Sequence, residues 1–191
     1  MPVQLERYRP DIEAEDFYLI VSALVPYKRI DLAVAAFNRI ERPLVIVGDG
    51  PYLNEMKALL SDLPCTFTGA LAGDDLAKAY ASADIFVFPS TTDTFGNVVL
   101  EAQASGLPVV VSDQGGPCEN ILPDTTGRVV PGNDVEALAA ALTDILSNPR
   151  QRQAMGRAAR RYMEERSFDA AFLKTWESYQ AISSGEKFRW V

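Results

Sequence analysis

The sequence predicts an α/β domain: a doubly wound parallel sheet with helices on both faces. Three observations carry that prediction. Apolar runs of strand length recur at residues 17–23, 44–48, 65–68, 84–88 and 108–112. Most are unbroken rather than alternating, which is how a strand reads when both of its faces are covered. Between them stand amphipathic helical patterns, and strand–helix alternation with right-handed crossovers gives a parallel sheet.

In chain order, residues 2–16 are polar, charged and punctuated by proline, and they enter the first strand without a helix of their own. They read as a linker. After the first strand, Ile30, Ala33, Val34, Phe37 and Ile40 share one helical face. After the second, Leu53, Met56, Leu59 and Leu60 share another, and Leu76, Ala77 and Tyr80 form a shorter third. A helix over 98–105 separates the fourth and fifth strands. Beyond Gly132 the pattern is helical throughout. Asn133 and Glu136 have capping-box spacing ahead of Val135, Leu138, Ala139, Leu142 and Leu146. Pro149 opens an arginine-rich helix, and Phe168, Phe172, Trp176 and Tyr179 continue at helical spacing. These closing helices are expected to wrap one side of the sheet, with Phe168 and Trp176 in the core. The alternative gives Phe168, Trp176 and Trp190 to contact with a partner.

At 191 residues the chain suffices for one domain with a substantial core. Its 18 basic and 26 acidic residues leave a net charge of −8, which argues against a broad nucleic-acid surface or an acidic-membrane footprint. An anionic ligand then needs a local site that overrides the global repulsion. Cys65 and Cys118 give neither zinc spacing nor a disulfide framework, which favours a reducing compartment. No apolar run approaches the ~18 residues of a membrane span and no signal peptide is visible, so a cytoplasmic setting is expected. The chain contains no histidine. That removes the commonest general base, Ser–His and Cys–His nucleophiles, and most transition-metal sites; no metal is expected.

Most of the functional information lies in residues 93–116, DTFGNVVLEAQASGLPVVVSDQGG. Ligands of open α/β sheets sit outside the carboxyl ends of the strands, where residues 90–96 fall. Asp93 and Glu101 lie eight positions apart around Gly96 and the opening turns of a helix. Thr94 or Asn97 suits a helix cap, leaving the amides near Gly96 to Val98 pointing at a phosphate. Capping alone accounts for Asp93 and Thr94 equally well, so both readings stand. Glu101 is one turn along from Asn97 on the same face. Buried there, its carboxylate needs partners such as vicinal hydroxyls; the plain alternative is a solvated or salt-bridged glutamate. The loop after the first strand carries Lys28 and Arg29. Lys28 is placed either to reach a diphosphate or simply at the surface near a helix start. Gly48, in VGDGP, and the pair Gly115 and Gly116 suit either close approach to a ligand or tight turns. A ligand with both phosphate and vicinal hydroxyls is a nucleotide sugar.

Taken in order, PVQLERYRP, SALVPYKRIDLAVAAF, VGDGP, the 93–116 block and TGRVVPGND resemble the C-terminal, donor-binding domain of the retaining glycosyltransferases of family 4, over nearly the whole chain. VPYKRID is most similar to mannosyltransferase-type members that build polysaccharide or glycolipid. The resemblance implies a Rossmann-like sheet of about six strands, the C-terminal half of a GT-B fold with extra C-terminal helices. It makes residues 1–16 a linker remnant and 17–191 the nucleotide-sugar-binding domain, with an N-terminal acceptor domain absent. It implies transfer of a hexosyl group from a GDP- or UDP-linked sugar with retention of configuration and no cofactor. By position, Glu101 would hold the ribose hydroxyls and Asp93 the donor sugar. The backbone of Phe95, Gly96, Asn97 and Val98 would meet sugar and phosphate, Lys28 would pair with the diphosphate, and Leu71 would sit where the base is framed. There are two departures. Ala23 stands where the family carries an arginine, and Asp93 replaces a glutamate longer by one methylene, about 1.5 Å. Arg29 would have to supply the missing cation. On this reading the chain alone is inactive but binds nucleotide weakly, and any peripheral membrane contact runs through the absent domain. The rivals are a nucleotide-sugar epimerase of the same architecture and a non-catalytic nucleotide-binding or interaction module.

Overall fold

The structure is a computed structural model that describes residues 4–8, 10, 17–60 and 64–183. Six strands form one sheet: β1 (Tyr18–Val21), β2 (Leu44–Val47), β3 (Cys65–Gly69), β4 (Ile85–Phe88), β5 (Val109–Ser112) and β6 (Gly127–Val130). Their order is β3-β2-β1-β4-β5-β6, and every pairing is parallel. This is the doubly wound, Rossmann-like order, and the expected fold class holds. The chain builds outward from β1 to β3, then returns to lay β4 against the other side of β1. That reversal opens a crevice at the carboxyl ends of β1 and β4.

Side chains alternate across the pleat, so each strand feeds two cores. Ile20, Ile46, Ile85, Val87 and Val110 face one layer, formed by α1 (Ile30–Ile40), α2 (Leu53–Leu59) and α5 (Val135–Ser147). Leu19, Val21, Phe86, Phe88, Val109 and Val111 face the other, formed by α3 (Gly73–Ser82) and α4 (Asn97–Ala104). The α1 face predicted from spacing is the buried one, with Ile30, Ala33, Val34 and Phe37 all in the core. The α2 face is only partly so. Met56 alone is fully buried there and Leu59 is exposed, because the short helix lies beside the edge strand β3.

The C-terminal helices correct three expectations. The cap of α5 is Asp134, whose carboxylate accepts from the Ala137 amide at 2.9 Å; Asn133 instead takes a left-handed conformation and receives Arg29. The helices do not wrap one side: α6 (Pro149–Glu164) puts Met155 into the first core and Met163 into the second. The last helix, α7 (Phe168–Ser183), leaves Phe172, Leu173, Trp176, Tyr179 and Ile182 exposed. Core packing is therefore overturned for Trp176, which is 52% exposed. The Phe168 side chain and Trp190 lie outside the described residues.

Of the expected linker, residues 4–8 are described and form a turn; most of the remainder lies outside the described residues. The turn is tied to the domain. Tyr8 is buried edge to face against Tyr80, with ring centroids 5.6 Å apart. Arg160 of α6 donates to the carbonyls of Leu5, Tyr8 and Ala104. Among the described residues no helix is long and apolar enough to cross a membrane.

Candidate functional site

An open cavity of about 400 Å³ sits at the carboxyl ends of β1 and β4, where the strand order reverses. Ser22, Ala23, Tyr27 and Lys28 line it from the β1 side; Phe88 and Asp93 to Val98 line it from the β4 side. A 3-10 turn, Pro26–Lys28, brings Lys28 over the rim, with its ammonium 5.4 Å from the Tyr27 ring centre and 5.5 Å from that of Phe88. There it makes an ion pair with Asp93, 65 positions away in sequence. Both side chains are largely shielded, at 15% and 17% exposure, so the pair is held in a low-dielectric setting where charge acts strongly. The second carboxylate oxygen of Asp93 is buried and accepts no hydrogen bond among the described residues. A buried acceptor in that state has capacity for a hydroxyl donor.

The first turn of α4 opens into the same cavity. Its cap residue is Gly96, at φ 78°, and no side chain caps the helix. Capping by Asp93 and Thr94, one of the two sequence readings, does not occur, and neither does the Thr94 or Asn97 cap suggested beside the other. The first turn, with the positive end of the helix dipole, therefore opens on the cavity, an arrangement suited to an anion. The loop that delivers them is braced from behind. The Gly116 amide donates to the Asp93 carbonyl at 2.8 Å, and a Cβ on Gly116 would lie 1.9 Å from the Thr94 carbonyl oxygen. Buried Asn120 donates to the Phe95 carbonyl and accepts from Gln103 through its own carbonyl. Gly115 and Gly116 thus make their close approach to the loop backbone. Sequence reasoning passed over Asn120 and Gln103, which carry no signal beyond being polar residues in apolar surroundings.

Glu101 lies further into α4 and does not line the cavity. It is partly buried, and its Oε2 accepts from the Tyr80 hydroxyl at 3.0 Å. The Tyr8 hydroxyl also acts on this carboxylate. Burial pushes Glu101 above the usual carboxylate range, while the two tyrosine hydroxyls and Arg7 pull the other way. The same cluster pushes Tyr8 up to about 12, chiefly through burial and then through the Glu101 charge. Tyr80 is driven well above its ordinary value for the same reasons.

The remaining predicted residues lie elsewhere. Arg29, in the left-handed region, donates to Asp31 at 3.0 Å and to Asn133, and it does not line the cavity. Lys28 is the one cation among the lining residues. Gly48 does not line the cavity but packs backbone to backbone on Ser22, where a Cβ would meet the Ser22 carbonyl oxygen at 1.8 Å. Leu71 packs on the second core layer. A further cavity at the opposite edge of the sheet holds Asp84 and Arg152, already paired with each other at 3.0 Å. No group of acidic, cysteine or histidine side chains that could hold a metal is found among the described residues.

Comparison with known proteins agrees with this geometry. The family model described as glycosyl transferases group 1 matches residues 5–162. A sulfoquinovosyl transferase of Arabidopsis thaliana is 39% identical over 152 residues, covering 77% of this chain and 30% of that protein. A GDP-mannose-dependent alpha-(1-6)-phosphatidylinositol monomannoside mannosyltransferase of Mycolicibacterium smegmatis is 35% identical, covering 84% of this chain and 49% of its own length. Among solved structures, sucrose-phosphate synthase from Thermosynechococcus elongatus superposes with a TM-score of 0.82 at 26% identity, over 97% of this chain and 52% of that one. The chain therefore spans half or less of the curated relatives compared. The six-stranded Rossmann-like sheet with its C-terminal helices is that of a GT-B half-domain, and the chain belongs to the group 1 glycosyl transferases.

Proposed function

We propose that this chain is the donor-binding half of a retaining glycosyltransferase of family 4. It takes a GDP- or UDP-linked hexose and needs no metal or other cofactor. The observation that carries the reading is the convergence of Lys28, Asp93 and the uncapped first turn of α4 on one cavity at the β1–β4 switch point. The diphosphate lies on the amides of Gly96, Asn97 and Val98 with Lys28 as its counter-charge. Asp93 turns its free carboxylate oxygen to a sugar hydroxyl, and Glu101 accepts from the ribose.

Departure of the nucleoside diphosphate places negative charge where Lys28 and the helix terminus already stand. That electrostatic stabilisation is the donor half's contribution to the rate. Because Lys28 contacts Asp93 directly, the shorter side chain couples sugar orientation to leaving-group stabilisation. Acceptor recognition belongs to a second domain, 1–16 is the linker to it, and without it the chain binds donor but does not turn over. The two cysteines are unpaired, in keeping with a reducing, cytoplasmic setting.

Calorimetry with GDP, UDP and their sugars tests the reading. The expected result is weak binding by the intact chain, lowered about tenfold or more by Lys28→Ala and by Glu101→Ala, the scale of a lost hydrogen bond to a charged group. No binding at millimolar nucleotide would contradict it.

A further inference from the structure

Two tyrosines from unrelated parts of the chain hold Glu101. Tyr80 reaches its Oε2 from α3 at 3.0 Å, and Tyr8, from the turn of residues 4–8, packs on the Tyr80 ring at 5.6 Å and acts on the same carboxylate. The rings meet edge to face and are buried. The turn is itself fixed to the helix that carries Glu101: Arg160 Nη1 donates to the Tyr8 carbonyl at 2.5 Å and to the carbonyl of Ala104, the last residue of α4, at 2.6 Å. Arg7, in the same turn, is the other charged group acting on the carboxylate among the described residues, and it favours the ionised form. Burial opposes ionisation, so the charge on Glu101 depends on these three neighbours.

We propose that Tyr8 is a positioning residue: with Tyr80 it keeps the Glu101 carboxylate ionised and oriented for the ribose of a bound nucleotide, and so couples the segment ahead of β1 to the donor pocket. This rests on the reading of Glu101 as the ribose acceptor. A carboxylate accepts from two vicinal hydroxyls, whereas a protonated carboxyl group has lost acceptor capacity and competes as a donor. Displacing the turn therefore raises the proton affinity of Glu101 and weakens nucleotide binding. By reciprocity, bound nucleotide holds the turn in place.

The test uses the 191-residue chain. The Glu101 carboxylate is titrated by carbon NMR, without ligand, in the native, Tyr8→Phe and Tyr80→Phe proteins. UDP and GDP affinities are measured by calorimetry over the same pH range. In Tyr8→Phe the Glu101 titration is expected to move up by about one pH unit, the effect of one lost hydrogen bond to a charged group. The acid limb of nucleotide binding should move with it, giving about a tenfold loss of affinity below the shifted titration. Tyr80→Phe should act in the same direction. An unmoved Glu101 titration in Tyr8→Phe overturns the proposal while leaving the ribose reading intact, provided Glu101→Gln still weakens binding. A Glu101 titration that moves while affinity is absent or flat with pH overturns the ribose reading and the proposal together. A lower melting temperature with both titrations unmoved assigns Tyr8 a merely structural role and also overturns it.

Discussion

Three side chains define the candidate site at the level of single residues, and each was legible to a different degree. Lys28 and Asp93 stood out in the sequence because both follow strands at the edge where ligands bind. Their ion pair did not, since the 65 positions between them are closed only by the β1–β4 pairing. Glu101 stood out as a carboxylate in an apolar helix, but its partners Tyr8 and Tyr80 read as ordinary aromatics. That cluster makes a stability prediction. Glu101 titrates above its unfolded value because of burial, so its contribution to stability is full below the unfolded value and is lost as pH rises through the folded one. Glu101→Gln should therefore melt higher than the native protein at neutral pH, with the difference closing in acid, while binding nucleotide less well. A melting series from pH 3 to pH 8 checks this, and a lower melting temperature at neutral pH contradicts it.

Elements succeed or fail as sequence readings according to where their partners lie. Strands β1, β2, β4 and β5 and helix α1 were readable because each buries a continuous apolar face, whereas β6, which opens on Gly127 and Arg128, was not read from its pattern. The start of α5 was misplaced by one residue: Asn133 and Asp134 are both good caps, and only backbone conformation decides between them. Helix α4 matters most, since its first turn, with no side-chain cap, is the part proposed to meet the diphosphate. The pair Gly115 and Gly116 read first as a turn and second as a ligand contact; it is the brace that holds the 93–96 loop in place. Gly116→Ala would push a methyl group into the Thr94 carbonyl, so the loop must move. The expected cost is about 1–3 kcal/mol of stability, as for other forced insertions into packed structure, with a clear loss of nucleotide affinity. Unchanged affinity by calorimetry would show that the brace does not set the site.

As a whole molecule the chain carries a net charge of −8 yet presents Lys28 and a helix terminus at its switch point, the local override that composition demanded of any anion site. The apolar pattern of α7 misled because periodicity reports an amphipathic face without saying what covers it. That helix ends with its apolar row exposed, whereas α6 pins both cores through Met155 and Met163. Trp176→Ala should therefore change stability by no more than about 0.5 kcal/mol, as at ordinary surface positions. Met163→Ala should cost about 2–5 kcal/mol, as for large-to-small changes in a core. Denaturant unfolding of the two variants separates these outcomes.

The central claim, that the cavity at the β1–β4 switch point holds a nucleoside diphosphate, is tested most directly by titrating UDP and GDP into the isotopically labelled chain and following its backbone amides by NMR. The largest shifts should fall on Gly96, Asn97 and Val98, with Lys28 beside them, and Lys28→Ala should weaken the response without relocating it. Shifts centred on another part of the surface, or none at millimolar nucleotide, would contradict the account.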